Sequence, residues 1–230
     1  TAFAASLQES RPILTGVHMV LSEQKEFKAV ATDSHRMSQR KLTLENTSAN
    51  FNMVIPSKSL REFSAVFTDD IETVEVFFSD SQVLFRSDYI SFYTRLLEGN
   101  YPDTDRLLTN SFETEVTFNT AALRSAMERA YLISNATQNG TVKLEITSDS
   151  ISSHVNSPEV GKVNEELDSI SQSGSDLTIS FNPTYLIEAL KALKSETVMI
   201  RFISPVRPFT LMPGDDTENF VQLITPVRTN

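Results

Sequence analysis

The sequence of 230 residues predicts an α+β fold made of two similar halves. In many short segments, apolar residues alternate with polar ones, which is typical of strands that place one face on a core. A few other segments carry apolar residues at helical spacing. The order of these segments repeats after roughly 115 to 130 residues, a period that suits a duplicated domain rather than a solenoid.

The strand prediction rests on five segments in which every second residue is apolar. This pattern places one face of an antiparallel sheet on a core and leaves the other face in solvent. The alternating residues are Val74, Val76 and Phe78; Val116 and Phe118; Val142, Leu144 and Ile146; Leu177, Ile179 and Phe181; and Val198, Ile200 and Phe202.

The helix prediction rests on four segments, two in each half. In the last of them Leu186, Leu190 and Leu193 recur at i, i+4 and i+7, and Pro183 stands in the first turn, where a missing N–H costs nothing. The predicted helices run from Thr1 to Arg11, from Ser57 to Ala65, from Thr120 to Leu132 and from Pro183 to Lys194.

The boundary between the halves is predicted in residues 107–111. This segment, Leu-Leu-Thr-Asn-Ser, carries turn-forming residues immediately before a new strand. We therefore expect one domain over residues 1–108 and a second over residues 109–230.

The composition argues against several classes of protein. The chain has no cysteine, so disulfides and thiolate metal sites are excluded and a reducing cytoplasm is favoured. No run reaches the ~18 apolar residues that a membrane-spanning helix needs. A formal net charge of -10 disfavours a generic nucleic-acid binder, which normally has a basic surface. Because the chain opens on Thr1 without a signal segment, we expect it to be part of a longer protein.

No motif in the sequence predicts a catalytic site. Asp33, Ser34 and His35 are adjacent, but neighbouring side chains on an extended segment point to opposite faces and cannot form a Ser–His–Asp relay. His18, His35 and His154 lack the spacing of metal ligands. A metal site built from acidic residues is disfavoured, since they lie in segments typical of turns and loops, which are Asp69-Asp70, Asp215-Asp216 and Asp103 with Asp105.

Positive charge is concentrated on the predicted helices although the chain as a whole is acidic. For a single helix this indicates an ordinary solvated face. An excess repeated over four helices favours a surface that faces phosphates. The helices carry Arg11, Lys58, Arg61, Arg124, Arg129, Lys191 and Lys194 against Glu9, Glu62, Glu128 and Glu188.

Six short motifs span the chain, and in the same order they resemble those of the bacterial DNA sliding clamps, the beta subunits of DNA polymerase III. The second resembles the family signature A-T-D-[GS]-H-R-L. The family has three equivalent domains, and this chain resembles the middle and C-terminal ones, so the first is expected to precede Thr1. The motifs are Arg11 to Gly16 (RPILTG), Ala31 to Met37 (ATDSHRM), Ile55 to Leu60 (IPSKSL), Leu97 to Asp103 (LEGNYPD), Phe181 to Leu186 (FNPTYL) and Leu223 to Arg228 (LITPVR).

The resemblance implies two tandem DNA-clamp domains, each with antiparallel sheets outside and two helices facing a DNA channel. It implies a ring-shaped homodimer that encircles duplex DNA without reading its sequence, needs no cofactor or metal, and acts as the non-catalytic processivity subunit of a DNA-directed DNA polymerase, a nucleotidyltransferase. Tethering by a ring is an effective-concentration mechanism. The dimer edge would include Leu132 and Ile133, and the 230-residue chain alone would be a monomer.

The resemblance also implies a peptide-binding groove between the two domains. There the polymerase III alpha subunit, other polymerases, the clamp-loader delta subunit and repair proteins would insert short peptides rich in Gln, Leu and Phe. Met37 replaces the usual Leu, and Thr225 stands where some relatives have Met. The matching positions are Leu14, Thr32, His35, Arg36, Met37, Pro102, Arg106, Leu107, Asn182, Tyr185, Val206, Pro208, Leu223, Ile224, Thr225, Pro226, Val227 and Arg228.

Three alternatives stay open at this point. Leu14, Met37, Leu107, Leu223 and Ile224 would be ordinary core residues if the resemblance did not apply, because apolar residues are usually buried for packing. An acidic protein-interaction scaffold without a DNA role also fits the net charge and the strand content. An enzyme that uses the carboxylates is a third and weaker reading.

Overall fold

The structure, a computed structural model, describes residues 1–23, 25–45, 49–68, 70–109, 111–135, 140–157 and 161–228. It divides into two compact units, Thr1–Asp105 and Arg106–Asn230. The predicted boundary between residues 108 and 109 lies three residues beyond this division. Each unit combines antiparallel sheets with helices, so the predicted α+β class is confirmed.

The first unit contains two antiparallel sheets and one α-helix among its described residues. One sheet has the strand order β3-β2-β1-β4 and the other has the order β5-β6-β7. The elements are β1 Gly16–Leu21, β2 Glu26–Thr32, β3 Arg36–Thr43, β4 Phe51–Pro56, α1 Ser57–Val66, β5 Glu75–Phe78, β6 Gln82–Arg86 and β7 Ser91–Arg95.

The second unit contains two antiparallel sheets and two α-helices among its described residues. Its sheets have the orders β12-β8-β14-β15-β16 and β11-β10-β9-β13. The elements are β8 Thr114–Asn119, α2 Thr120–Ser134, β9 Val142–Ile146, β10 Ile151–Ser157, β11 Gly161–Glu166, β12 Ser171–Gly174, β13 Leu177–Phe181, α3 Pro183–Ala192, β14 Thr197–Phe202, β15 Phe209–Pro213 and β16 Phe220–Ile224.

Local signals set the starts of the two helices in the second unit. Asn119 caps α2, since its side-chain oxygen accepts the Ala122 N–H at 2.9 Å. Asn182 caps α3 in the same way through the Thr184 N–H at 2.9 Å, with Pro183 next to it. Such caps satisfy N–H groups that have no partner inside a helix. Of the described residues, no helix combines the length and apolar character needed to cross a membrane.

The predicted helix from Thr1 to Arg11 is wrong. Only Ala2–Ala4 form a short 3-10 turn, after which Ala5 is extended. The Ser6 N–H donates to the Leu14 carbonyl at 2.9 Å, so the chain is held by a distant partner instead of continuing as a helix. The apolar side chains of Ala4 and Ala5 pack in a cluster with Val17 and Ala31 of the β3-β2-β1-β4 sheet. Arg11 therefore precedes a second 3-10 turn, Pro12–Thr15.

The cores of the two units differ in size. In the second unit one cluster joins both sheets and both helices, with Phe118, Met127, Phe181 and Ile200 at 1% exposure or less. The clusters described in the first unit are small, and one of them contains Met53, Ile55 and Val83. The expectation that alternation buries one face is wrong for β5.

Candidate functional site

A tight turn in the first unit presents the residues of the ATDSHRM motif. One carboxylate oxygen of Asp33 accepts the N–H groups of His35 and Arg36 at 2.9 and 3.0 Å. Ser34 has a positive φ of 79°, a backbone conformation that residues other than glycine rarely adopt. The turn lies between β2 and β3 and leaves the His35 side chain exposed. The expectation that residues 33–35 are extended is therefore wrong.

Arg36 is held in place by its own unit. Its Nε–H donates to the second carboxylate oxygen of Asp33 at 2.9 Å, and an Nη–H donates to the Phe3 carbonyl at 3.1 Å. The guanidinium also lies 5.6 Å from the centre of the Phe3 ring. These contacts fix the guanidinium plane beside the turn. A guanidinium held in one orientation can orient a ligand through its hydrogen bonds.

Tyr101, a residue that the site prediction did not include, supports this turn. The hydroxyl oxygen of Tyr101 accepts the Thr32 N–H at 3.1 Å, and the Tyr101 ring stacks on His18 at 4.9 Å between centroids. Burial raises the pKa of Tyr101 to about 12, although the Thr32 N–H acts in the opposite direction. Tyr101 belongs to the LEGNYPD motif, so its place in the sequence was the signal that could have identified it.

A cavity of about 310 Å³ opens beside the turn within the first unit. Leu14 and His35, both predicted site residues, line it together with Arg11. The remaining lining comes from polar and acidic side chains that the site prediction did not include, which are Ser6, Gln8, Ser10, Asp33 and Ser34. Such a cavity offers a cation and several hydrogen-bonding groups close to the exposed imidazole.

The predicted apolar anchors separate into two groups by exposure. Leu14, Met37, Leu223 and Ile224 are 5% exposed or less, as the core alternative expects, and Thr32 is also buried. Leu107, Val206 and Val227 are 49%, 59% and 39% exposed and so offer apolar surface. Pro102 and Arg106 are exposed as well.

In the second unit, two predicted site residues have structural partners. The Asn182 side-chain oxygen caps α3, a role that the prediction of a peptide contact did not anticipate. Tyr185 packs against the core cluster. The Val227 N–H donates to the Ser180 carbonyl at 2.7 Å, which ties the end of the chain to β13. Pro208, Thr225 and Pro226 are partly buried, and Arg228 is exposed.

Two of the predicted DNA-facing residues on α2 and α3 lie around one carboxylate. Glu128 lies 3.9 Å from Arg124 and 3.3 Å from Lys191, so the two helices bring two cations to one acidic group. Arg129 is paired with Glu165 of β11, and this contact raises the pKa of Arg129. Lys194 lies beyond the end of α3, because Leu193 is extended.

In the first unit, Lys58 and Arg61 are exposed and stand three residues apart on α1. Arg11, placed on a helix by the prediction, instead precedes a 3-10 turn. Three of the four predicted helices therefore exist and carry basic residues. Arg11 adds no charge to a helix, because the first predicted helix is absent.

The two predicted dimer-edge residues differ in exposure. Leu132 is 74% exposed at the end of α2, whereas Ile133 packs against the core cluster. In the described ranges, no group of three or more His, Asp or Glu side chains is arranged to hold a metal ion. Asp69 of the disfavoured carboxylate site lies outside these ranges.

The chain matches two adjacent family models. Residues 1–103 match the central domain of the DNA polymerase III beta subunit, and residues 105–228 match its C-terminal domain. The chain is 72% identical over its whole length to the beta sliding clamp of Streptococcus pneumoniae, of which it covers 61%.

Solved structures of such subunits are also similar. The whole chain superimposes with a TM-score of 0.97 and 82% identity on the crystal structure of the beta subunit from the DNA polymerase of Streptococcus pyogenes, covering 62% of it. The DNA polymerase sliding clamp from Bacillus subtilis gives a TM-score of 0.93 at 42% identity, with 60% of that chain covered. The chain thus spans about three fifths of the length of these relatives.

Proposed function

The chain belongs to the family of the DNA polymerase III beta subunit, and from this premise we propose that its protein is a DNA sliding clamp. The observation that carries the proposal is the pair of adjacent family-model matches over residues 1–103 and 105–228. In this function the protein is a non-catalytic processivity subunit of a DNA polymerase. It works as a ring-shaped dimer around duplex DNA, in the cytoplasm where a bacterial chromosome is replicated.

Contact with DNA is assigned to the helices. Lys58 and Arg61 on α1, and Arg124 and Lys191 around Glu128, supply positive charge in a chain of net charge -10. A modest basic surface suits a ring that slides, because phosphate contacts carry no sequence information and weaken steeply with salt. Arg129 is expected to contribute less than the others, because its ion pair with Glu165 is closer than those of Arg124 and Lys191 with Glu128.

Retention on circular DNA tests the clamp function. The full-length protein, loaded by a clamp loader onto nicked circular DNA, should stay on the circles and leave after the DNA is linearised. Loss of retention is expected when Lys58, Arg61, Lys191 and Lys194 are replaced by Glu. A matched variant reverses Lys41, Arg86, Arg95 and Lys143, which lie on strands, and should be retained. Equal behaviour of wild type on circular and linear DNA would rule out a topological link.

Peptide binding is assigned to the ATDSHRM turn of the first unit together with the LITPVR segment of the second. The fixed Arg36 guanidinium, the exposed His35 and the exposed apolar side chains of Leu107, Val206 and Val227 support this proposal. One or two apolar side chains of the peptide, buried on binding, should each contribute on the order of 1.5 to 3 kcal/mol to the binding free energy. Affinity for a pentapeptide should therefore be roughly micromolar, since ordering the peptide costs entropy.

Calorimetric titration of a Gln-Leu-Ala-Leu-Phe peptide tests this site in the 230-residue chain. Truncation before Thr225 should weaken binding, because it removes Pro226, Val227 and Arg228 but leaves β16, which ends at Ile224. Circular dichroism checks that the strands persist. If the truncated chain bound as tightly as the wild type, the site would have to lie elsewhere.

Dimer formation is assigned to the whole protein. Leu132 supplies an exposed apolar contact at the end of α2. Sedimentation should show a dimer for the full-length protein and a monomer for residues 1–230 at micromolar concentration. Replacing Leu132 by Lys in the full-length protein should shift it towards monomer.

A further inference from the structure

The segment from Leu96 to Asp105 crosses the β3-β2-β1-β4 sheet of the first unit and is attached to it at several points. The Leu97 N–H donates to the Val54 carbonyl at 2.9 Å on β4. Near its other end, Asp105 forms an ion pair with Lys28 of β2 at 2.8 Å. Tyr101 lies between these two points and contacts both β1 and β2.

Tyr101 is the contact of this segment that reaches the ATDSHRM turn. Its hydroxyl oxygen accepts the N–H of Thr32, the last residue of β2. Thr32 is 7% exposed, so its N–H would have no water to replace the Tyr101 hydroxyl as a hydrogen-bond acceptor if that hydroxyl were removed. On the other side of the turn the Thr32 hydroxyl donates to the Arg36 carbonyl at 2.6 Å. A displacement of Thr32 would therefore pass directly to Arg36.

The Tyr101 ring is itself held in one orientation. It stacks on His18 with 28° between the ring planes, and Nε2 of His18 lies 2.7 Å from the side-chain oxygen of Asn52 on β4. Two strands, β1 and β4, thus hold the ring so that its hydroxyl lies at the position that Thr32 needs. Rings packed in this way lose little further freedom, so the hydrogen bond is formed before any ligand arrives.

We propose that Tyr101 is a positioning residue for the peptide-binding turn, acting through the Thr32 N–H to keep Arg36 and His35 in the conformation that binds peptide. This inference rests on the proposed function. Tyr101 also precedes Pro102, another predicted site residue, so one side chain connects two parts of the site that are about 70 residues apart in sequence.

The test is the Tyr101→Phe variant of the 230-residue chain, titrated with the Gln-Leu-Ala-Leu-Phe peptide. Loss of one hydrogen bond of ordinary net strength should weaken binding about fivefold. Hydrogen exchange of the Thr32 amide should become about tenfold faster, while amides in the second unit stay unchanged. Tyr93→Phe is the matched control, since the Tyr93 side chain is 73% exposed on β7, and it should bind like the wild type.

The outcomes separate the two proposals. Wild-type affinity in Tyr101→Phe would overturn the positioning role, even if the Thr32 amide exchanged faster. If the wild-type chain bound no peptide, the proposed function would fail, and the exchange rate of Thr32 alone would decide whether Tyr101 holds the turn. Should Tyr101→Phe not fold, His18→Leu keeps the hydroxyl but removes the stack. It should weaken binding about twofold relative to Tyr93→Phe, and equality with that control would overturn the inference.

Discussion

The two units follow the same succession of four strands, a helix and three strands, but the second unit has more elements around it. The succession is β1–β4, α1 and β5–β7 in the first unit, and β9–β11 with β13, α3 and β14–β16 in the second, where the short strand β12 is inserted between β11 and β13. The second unit also has β8, which pairs with β14, and α2, which packs on α3. Within the described residues, β5 lies at the edge of its sheet.

This difference explains why two nearly identical patterns have opposite burial. Residues 73–78 read TVEVFF and residues 197–202 read TVMIRF. Val198, Ile200 and Phe202 are at most 1% exposed, whereas Val76 and Phe78 are 44% and 45% exposed. Alternation makes a strand in both places, but burial also depends on the neighbouring strands. Strand β14 lies inside its sheet between β8 and β15, whereas β5 lies at the edge of its sheet and its side chains are exposed.

The largest expected effect is a core truncation in the second unit. Phe181→Ala removes a ring that is 1% exposed and lies 5.3 Å from Phe209, so it should cost about 3–5 kcal/mol of unfolding free energy. Phe63→Ala, in a partly exposed aromatic cluster of the first unit, should cost about half as much. Calorimetry of both variants measures the difference, and equal losses would break the comparison.

Corresponding positions on β14 and β5 provide a sharper test. Ile200→Thr places a hydroxyl in the core and should cost about 2–3 kcal/mol. Val76→Thr should change the unfolding free energy by less than about 0.5 kcal/mol, because Val76 is already half exposed. Urea denaturation of the two variants gives both values. A large loss for Val76→Thr would mean that β5 is covered in solution.

An alkaline transition should affect the first unit through Tyr101. Its pKa is about 12 in the folded chain and about 10 in an unfolded one, so the unfolded chain releases the proton first. Stability is therefore lost as pH rises from about 10 to about 12. Tyrosine absorbance and calorimetry over this range should show the loss in wild type and a smaller one in Tyr101→Phe. An unchanged profile in the variant would assign the transition to another group.

The smallest expected effect concerns strained backbone. In the second unit, the described residues with positive φ are glycines, such as Gly174, but in the first unit Lys25 and Ser34 adopt it too. Ser34→Gly should relieve the strain and raise the unfolding free energy by about 0.5 kcal/mol. Urea denaturation measures it, with Ser87→Gly as a control at a turn without positive φ. A loss of stability in Ser34→Gly would show that the serine side chain stabilises the turn.

Much of the candidate site was predictable because its motifs are local. The turn at residues 32–37 is set by a local signal, since Asp33 accepts N–H groups two and three residues ahead, although residues 33–35 were predicted to be extended. The role of Tyr101 was not predictable from spacing, because its partner Thr32 is 69 residues away. Likewise Asn182 matched a site position, but only the structure shows that its side chain caps α3.

The sequence by itself determined the α+β class, three of the four predicted helices and the five predicted strand segments, since these depend on periodicity and capping within a few residues. It also determined the family through six ordered motifs. Only the tertiary structure decided that residues 1–11 form no α-helix, because the Ser6 N–H bonds to Leu14. It also decided that β5 is exposed where β14 is buried. Both outcomes depend on contacts between distant segments, which local pattern does not encode.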